Sequence, residues 1–195
     1  MKQSGGLLEM TRTANALGIS RPTVENHLRA LEATHTVTLL RPFHGGGQKE
    51  IIKTPKAYAF DTGFVSFCRG WDPLRPDDYG VLWEHLVLEY LQAHAYEWRI
   101  QYWRDTAGRE IDFVITRSRE EIDAIECKWD PVQFDPAAIK VFRSYYPRGK
   151  NYLLSPLTVT GYTKKVSGLD IYICNPDGWQ KYLEGYRHPN KIRKT

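Results

Sequence analysis

Cysteine is scarce, and its placement excludes more than its number does. Cys68, Cys127 and Cys174 are odd in count, far apart and without a Cys-x-x-Cys pair. Neither a disulfide framework nor a zinc knuckle is expected, and the thiols read as small, reduced core residues. The six histidines make no ligand pattern: His85 and His94 share an expected helix, but nine positions separate them. No apolar run approaches the roughly 20 residues needed to span a bilayer. No charged stretch followed by an apolar one forms a signal peptide. Gly-x-x-x-x-Gly-Lys-Ser/Thr is absent, so no ATP site is expected in this chain. What these absences leave is a cytoplasmic chain that makes no use of a membrane.

What is present suffices for a core. With 42% hydrophobic and 13% aromatic residues, the 195 positions can build one large domain or two small ones. Charge is unevenly spread. Residues 1–75 hold ten Lys/Arg against six Asp/Glu, and residues 76–184 hold thirteen against seventeen. The tail, 185–195, has four basic residues and no acidic one. A basic front and tail around an acidic body suit polyanion contact at the ends and cation binding in the middle.

Residues 1–70 read as a winged helix-turn-helix. Thr11 to Gly18 forms a short helix, and Gly18-Ile19-Ser20 turns into a second helix from Arg21 to about Ala33. Ser20 is its N-cap, and Pro22 sits in the first turn, where a missing N–H does no harm. Val24, Leu28 and Leu31 give its buried stripe. Ala14, Gly18 and Val24 supply the small contact, the sharp turn and the apolar anchor that such a pair needs. Strands follow at Thr36–Leu40, at Ile51–Lys53 and over Tyr58–Phe60, with the glycine-rich loop His44–Lys49 as the wing tip. On the recognition helix Arg21, Thr23, Asn26 and Arg29 face outward, and Lys49 stands at the wing, a set that suits DNA contact. Glu25 and Glu32 on the same helix suit a protein connector instead. The third helix on which such a pair usually packs has no counterpart in the first ten residues. The chain therefore reads as the rear part of something longer, its underside covered by that segment or by a partner chain.

Residues 76–184 read as an α/β sandwich. Asp77 or Asp78 caps a helix from about Tyr79 to His94, with Val81, Leu82, His85, Leu86, Leu88 and Leu91 as its apolar stripe and Glu84 within it. Strands are expected at Arg99–Trp103, Glu110–Ile115, Ile122–Lys128, Tyr152–Leu154 and Asp170–Cys174. Helices are expected from Pro136 to Tyr145 and from Asn175 to about Leu183. Because strand side chains alternate, Ala124, Glu126 and Lys128 share one face and Ile125 and Cys127 the other. One strand back, Asp112 opposes Ile111, Phe113 and Ile115. A hairpin then brings Asp112 near Glu126 and Lys128, with Glu84 available from the helix. One or two hard carboxylates are what Mg²⁺ or Mn²⁺ usually takes alongside water and a substrate phosphate. Asp112, Glu126 and Glu84 are the expected metal ligands. Lys128, Glu126 and Asp112 are the expected catalytic set, with Lys128 steering the attacking water. The plainer alternative is a surface salt-bridge cluster worth little energy. Gln133 and Lys140, after the Glu-x-Lys strand, read either as phosphate contacts or as a plain solvated face.

The stretches LGISRPTVENHLRALEAT, KTPKAYAFDTG and GVLWEHLVLEYL, with YWRDTAGREIDFVI followed by IECKW, carry a resemblance. The chain resembles the C-terminal domain that follows the ATPase domain in a group of bacterial and archaeal AAA+ (P-loop) ATPases, from Gly6 to about Leu183. The resemblance implies a winged helix joined to a restriction-endonuclease-like, PD-(D/E)XK fold, with Glu84, Asp112, Glu126 and Lys128 on its signature and Ile111 in place of the usual proline. It implies metal-dependent cleavage of DNA or, alternatively, a non-catalytic DNA- or protein-binding module that regulates an ATPase. The implied partners are DNA and an ATPase domain absent from this chain. A stand-alone regulator would need a homodimer partner.

Overall fold

The computed structural model describes residues 3–45 and 53–187, and its first two helices are joined by a glycine turn. α1 (Met10–Leu17) ends at Gly18, whose φ of 65° lets its N–H return to the last carbonyls. α2 (Arg21–Ala33) starts where the Ser20 hydroxyl accepts the Thr23 N–H, with Pro22 in its first turn. Of the expected stripe only Val24 is fully buried, while Leu28 and Leu31 are half-buried. The reason is tertiary: α2 packs on α1 and β2, whereas the next helix turns to other partners.

A three-stranded antiparallel sheet follows, in the order β1 (Gly6–Leu7), β3 (Lys56–Ala59), β2 (Val37–Leu40). The strand that pairs with β2 is Lys56–Ala59, which overlaps the expected Tyr58–Phe60, and Pro55 just before it has no N–H to give a ladder. The tip of the expected wing, with Lys49, lies outside the described residues, as do Ile51 and Ile52. Helix α3 (Thr62–Arg69) was not expected. The Asp61 carboxylate accepts the Phe64 N–H at 2.6 Å to start it, and Gly70 at φ 69° ends it. α4 (Pro76–His94) begins three residues before the expected Tyr79, with Pro76 in its first turn and the Asp78 carboxylate accepting the Arg75 N–H. It is buried on two sides, so Trp83 and Val87 are covered while Leu86 is 45% exposed, contrary to the expected single stripe.

The larger sheet has six strands in the order β4 (Arg99–Arg104), β5 (Glu110–Thr116), β6 (Ile122–Cys127), β7 (Asn151–Leu154), β9 (Leu169–Cys174), β8 (Tyr162–Val166). β4, β5 and β6 run antiparallel; β6, β7 and β9 run parallel. α5 (Ala137–Tyr145) makes the crossover between β6 and β7. β8 was not expected, because its residues are exposed or half-buried and carry no core-facing pattern. α6 (Pro176–Arg187) runs past Leu183, so the boundary expected at 185 falls inside a helix. Residues 188–195 lie outside the described residues.

The core has two faces. Ile125, Cys127, Tyr152 and Leu154 pack under α4 and α6, through Leu88, Leu91 and Trp179. Ile122, Ala124, Leu153 and Ile171 pack on the other face against Ile139 and Phe142 of α5. The alternation read for β6 holds, although the strand is buried on both faces. The front segment joins this core: Leu40 and Tyr58 belong to the first face, and Phe43 to the second. Beyond β2, Phe43 N–H donates to the Tyr102 carbonyl and Tyr102 N–H to the Arg41 carbonyl, extending the sheet edge at β4. Gly149 shows how tightly the crossover closes, for at φ 118° a Cβ there would stand 2.0 Å from the Ile122 carbonyl oxygen.

Candidate functional site

β5 carries an irregularity that builds the site. Gln101 pairs with Val114 but Trp103 with Ile111, so β5 has one residue more than β4 over this stretch. The expected faces shift accordingly: Ile111 packs with Val114 on the α5 face, not with Phe113 and Ile115 on the α4 face. Pairing of β5 with β6 ends at Phe113–Ile125. The Cys127 N–H beyond it is taken by the Asp112 carboxylate at 2.8 Å. Where the two strands part, an open cleft of about 690 Å³ forms, and Glu84, Asp112 and Lys128 all line it, with Trp129 and Gln133 at its wall. Gln133, read either as a phosphate contact or as a solvated residue, is part of the cleft. The cleft sits beyond the carboxyl end of β6, the position where α/β sheets hold ligands.

Glu126 lies beneath, 5% exposed, and accepts from the Lys128 ammonium at 3.2 Å. Lys128 falls just past the end of β6 rather than within it, but its N–H still bonds the Leu154 carbonyl and keeps the strand direction. The structure thus brings Glu84, Asp112, Glu126 and Lys128 together. Burial and the neighbouring Glu84 raise the pKa of Asp112, with Lys128 and Lys56 opposing. Burial and Asp112 raise that of Glu126 well above the carboxylate range, with Lys128 opposing. For Lys128 burial works against the charge, but Asp112 and Glu126 outweigh it and raise the pKa.

Three further residues belong here that sequence reading passed over. The Lys56 ammonium from β3 lies 2.8 Å from Glu84 Oε1 and 2.7 Å from Glu110 Oε1. Tyr58, two residues on and on the same strand face, donates its O–H to Glu84 Oε1 at 2.5 Å. Glu110 also holds Arg104 at 2.8 Å. Burial disfavours the Lys56 charge, but Glu84, Asp112 and Glu110 together raise its pKa. The available signal was KTPKAYAFDTG, with a lysine and a tyrosine alternating with alanines on one strand; nothing local names their partners Glu84 and Glu110, which lie 28 and 54 positions beyond Lys56. Among the described residues, no three His, Cys, Asp or Glu side chains stand grouped as a metal cage.

The residues expected on the recognition helix divide. Arg21 and Arg29 line a groove of about 600 Å³ with Arg41 and Lys53, and Glu25 and Glu32 line it too. Arg21 pairs with Glu25 at 2.9 Å. The Thr23 hydroxyl is engaged with Ser20 at 2.8 Å, and Asn26 accepts from Arg29. Neither lines that groove. Lys49 lies outside the described residues.

Residues 1–75 match the domain of unknown function DUF8612, and residues 79–166 match the domain of unknown function DUF4143. The two matches meet at the start of α4. No curated protein matches the chain. Among solved structures the chain is similar to one in the refined half-complex from the tetradecameric assembly of Thermococcus gammatolerans McrB AAA+ hexamers with bound McrC. Identity is 12% and the TM-score 0.42, over 55% of this chain and 33% of that one. This chain thus spans about a third of that relative's length, and the likeness is too slight to carry a conclusion about fold or function. No helix among the described residues is long and apolar enough to cross a membrane.

Proposed function

We propose that this chain is a winged helix joined to a PD-(D/E)XK-type sandwich, and that it hydrolyses phosphodiester bonds in DNA with a divalent cation as a region of, or beside, an AAA+ ATPase. One observation carries the chemistry. Glu84 from α4, Asp112 from the bulged β5 and Lys128 just past β6 line one cleft although they are up to 44 positions apart, and Glu126 lies beneath it, bonded to Lys128. The helix pair, the β2–β3 hairpin and the β4–β5–β6–α5–β7 order support the fold reading. The tie to an ATPase rests on the resemblance stated above.

The donor chemistry fits a hard cation. Asp112 and Glu126 are buried carboxylates whose pKa values burial raises, helped by Glu84 at Asp112 and by Asp112 at Glu126, and positive charge beside them relieves both. No three-residue cage is required, since Mg²⁺ usually takes one or two carboxylates and completes its shell with water and substrate phosphate. Bound there, Mg²⁺ or Mn²⁺ supplies the charge that makes a water acidic and neutralises a phosphate. Asp112 and Glu126 would hold it, and Glu84, which lines the same cleft, would assist. Lys128, half-exposed at the rim, orients the attacking water and offsets negative charge on the phosphate as it develops.

A second reading has its own observation. Lys56 and Lys128 already neutralise Glu84, Glu110 and Glu126 in ion pairs of 2.7–3.2 Å, which suits a non-catalytic module that binds DNA or a protein partner. Titration calorimetry with Mn²⁺ and a cleavage assay on linear, nicked and single-stranded DNA separate the two. Metal binding, cleavage, and loss of cleavage in a folded Lys128→Ala variant are expected. Absence of metal uptake leaves the binding module.

A further inference from the structure

Lys56 is the part of this site that hydrolysis, as drawn above, does not use. A lysine is rarely buried without a strong reason, and the Lys56 side chain is only 4% exposed. It comes from β3, within the DUF8612 match, while Glu84 and Glu110 lie in the DUF4143 match. Two carboxylate oxygens from separate elements stand within 2.8 Å of one cationic nitrogen, with the Tyr58 hydroxyl on the same Glu84 oxygen. That is the arrangement of a cation held by a pair of acids, with the cation supplied by the chain. Glu84 therefore faces two positive positions: one toward Asp112 and Lys128 in the cleft, the other toward Glu110. Two-metal phosphodiesterases use acids shared in this way, with cations roughly 3.5–4 Å apart.

We propose that the Lys56 ammonium takes the place of a second cation, so that the site binds one divalent ion and the front segment, through Lys56, positions Glu84. The proposal rests on the metal-binding reading of Asp112 and Glu126. It makes the site composite: the segment matching DUF4143 carries the acids, and the segment before it carries the charge that satisfies half of them. Removing Lys56 leaves Glu84 with the Tyr58 hydroxyl and Glu110 with Arg104, and takes away the cation the two share in a place where uncompensated charge is costly. A divalent ion, bound closer to oxygen than an ammonium sits, is the natural replacement.

The test is the stoichiometry of Mn²⁺ alone, measured by titration calorimetry on the full chain. The wild type is expected to take up one ion. Lys56→Ala is expected to take up two, the second disappearing when Glu110→Gln is added. Lys56→Arg, which keeps the charge, is expected to behave as wild type. If Lys56→Ala is unfolded without metal, Mn²⁺ restores its near-ultraviolet dichroism; failure to refold in millimolar Mn²⁺ overturns the proposal. One ion in both wild type and Lys56→Ala also overturns it and leaves the hydrolytic reading standing, and two ions in the wild type do the same. No uptake by the wild type, with one Glu110-dependent ion in Lys56→Ala, sinks the hydrolytic reading and supports the role given to Lys56. No uptake by any of them ends both.

Discussion

Changing Tyr58 to Phe removes one oxygen from a core position and little else. The residue is 1% exposed, and its ring packs edge-on against His85 with centroids 5.1 Å apart. Phenylalanine keeps that ring, so no cavity opens and the large-to-small penalty is absent. What goes is the O–H donated to Glu84 Oε1 at 2.5 Å. Hydrogen bonds to charged groups contribute roughly 1.5–3 kcal/mol. Glu84 keeps the Lys56 ammonium at 2.8 Å and is 19% exposed, so it is not stranded. The loss should therefore fall near the lower end, about 1.5 kcal/mol. For a chain of this size each kcal/mol moves Tm by about 2–4 °C, so Tm should drop by roughly 3–6 °C. Lys56→Met leaves two acids without their shared cation and should cost more, about 3–5 kcal/mol. Scanning calorimetry of the two variants, with Glu84→Gln and the Tyr58→Phe/Glu84→Gln double variant, gives the coupling of Tyr58 to Glu84. A coupling of about 1 kcal/mol is expected. A Tm for Tyr58→Phe within 1 °C of wild type, or strict additivity in the cycle, would refute the claim that this buried network ties the two segments together.

Two other measurements bear on the same structure. His85 is held neutral by burial, which lowers its pKa below 6.5, with Arg69 and Lys56 adding to the effect against the Val81 carbonyl bond. The unfolded chain then takes up a proton there first as pH falls, so the contribution of His85 is full above about pH 6.5 and is lost below it. The gap in Tm between wild type and His85→Gln should narrow from about pH 7.5 to about pH 5.5, and a constant gap would contradict the assignment. On the helix pair, Arg21→Ala and Arg29→Ala should each weaken DNA binding and flatten its dependence on salt by about one counterion. Unchanged affinity and slope would assign the groove they line, with its Glu25 and Glu32, to a protein partner.

Much of the local structure was legible, and the reason is that its causes are local. Ser20, Pro22 and Gly18 announce α2 and the turn before it, and Glu126-Cys127-Lys128 shows its two faces by alternation alone. α3 was equally announced by Asp61 and Gly70, yet no helix was read there. β8 could not be read, because a strand exposed on both faces leaves no periodic trace.

The site divides along the same line. Residue type and spacing within single strands and helices determined which acids and which lysine could do metal chemistry, since those properties travel with a few neighbouring residues. Only the tertiary structure decided where they point. The extra residue in β5 exists only relative to β4, and it moves Ile111 to one face while leaving Asp112 at the fork with β6. Lys56 gains its meaning only when the hairpin of the front segment is laid against α4 and β5, because a buried ammonium is defined by the carboxylates around it and those lie elsewhere in the chain.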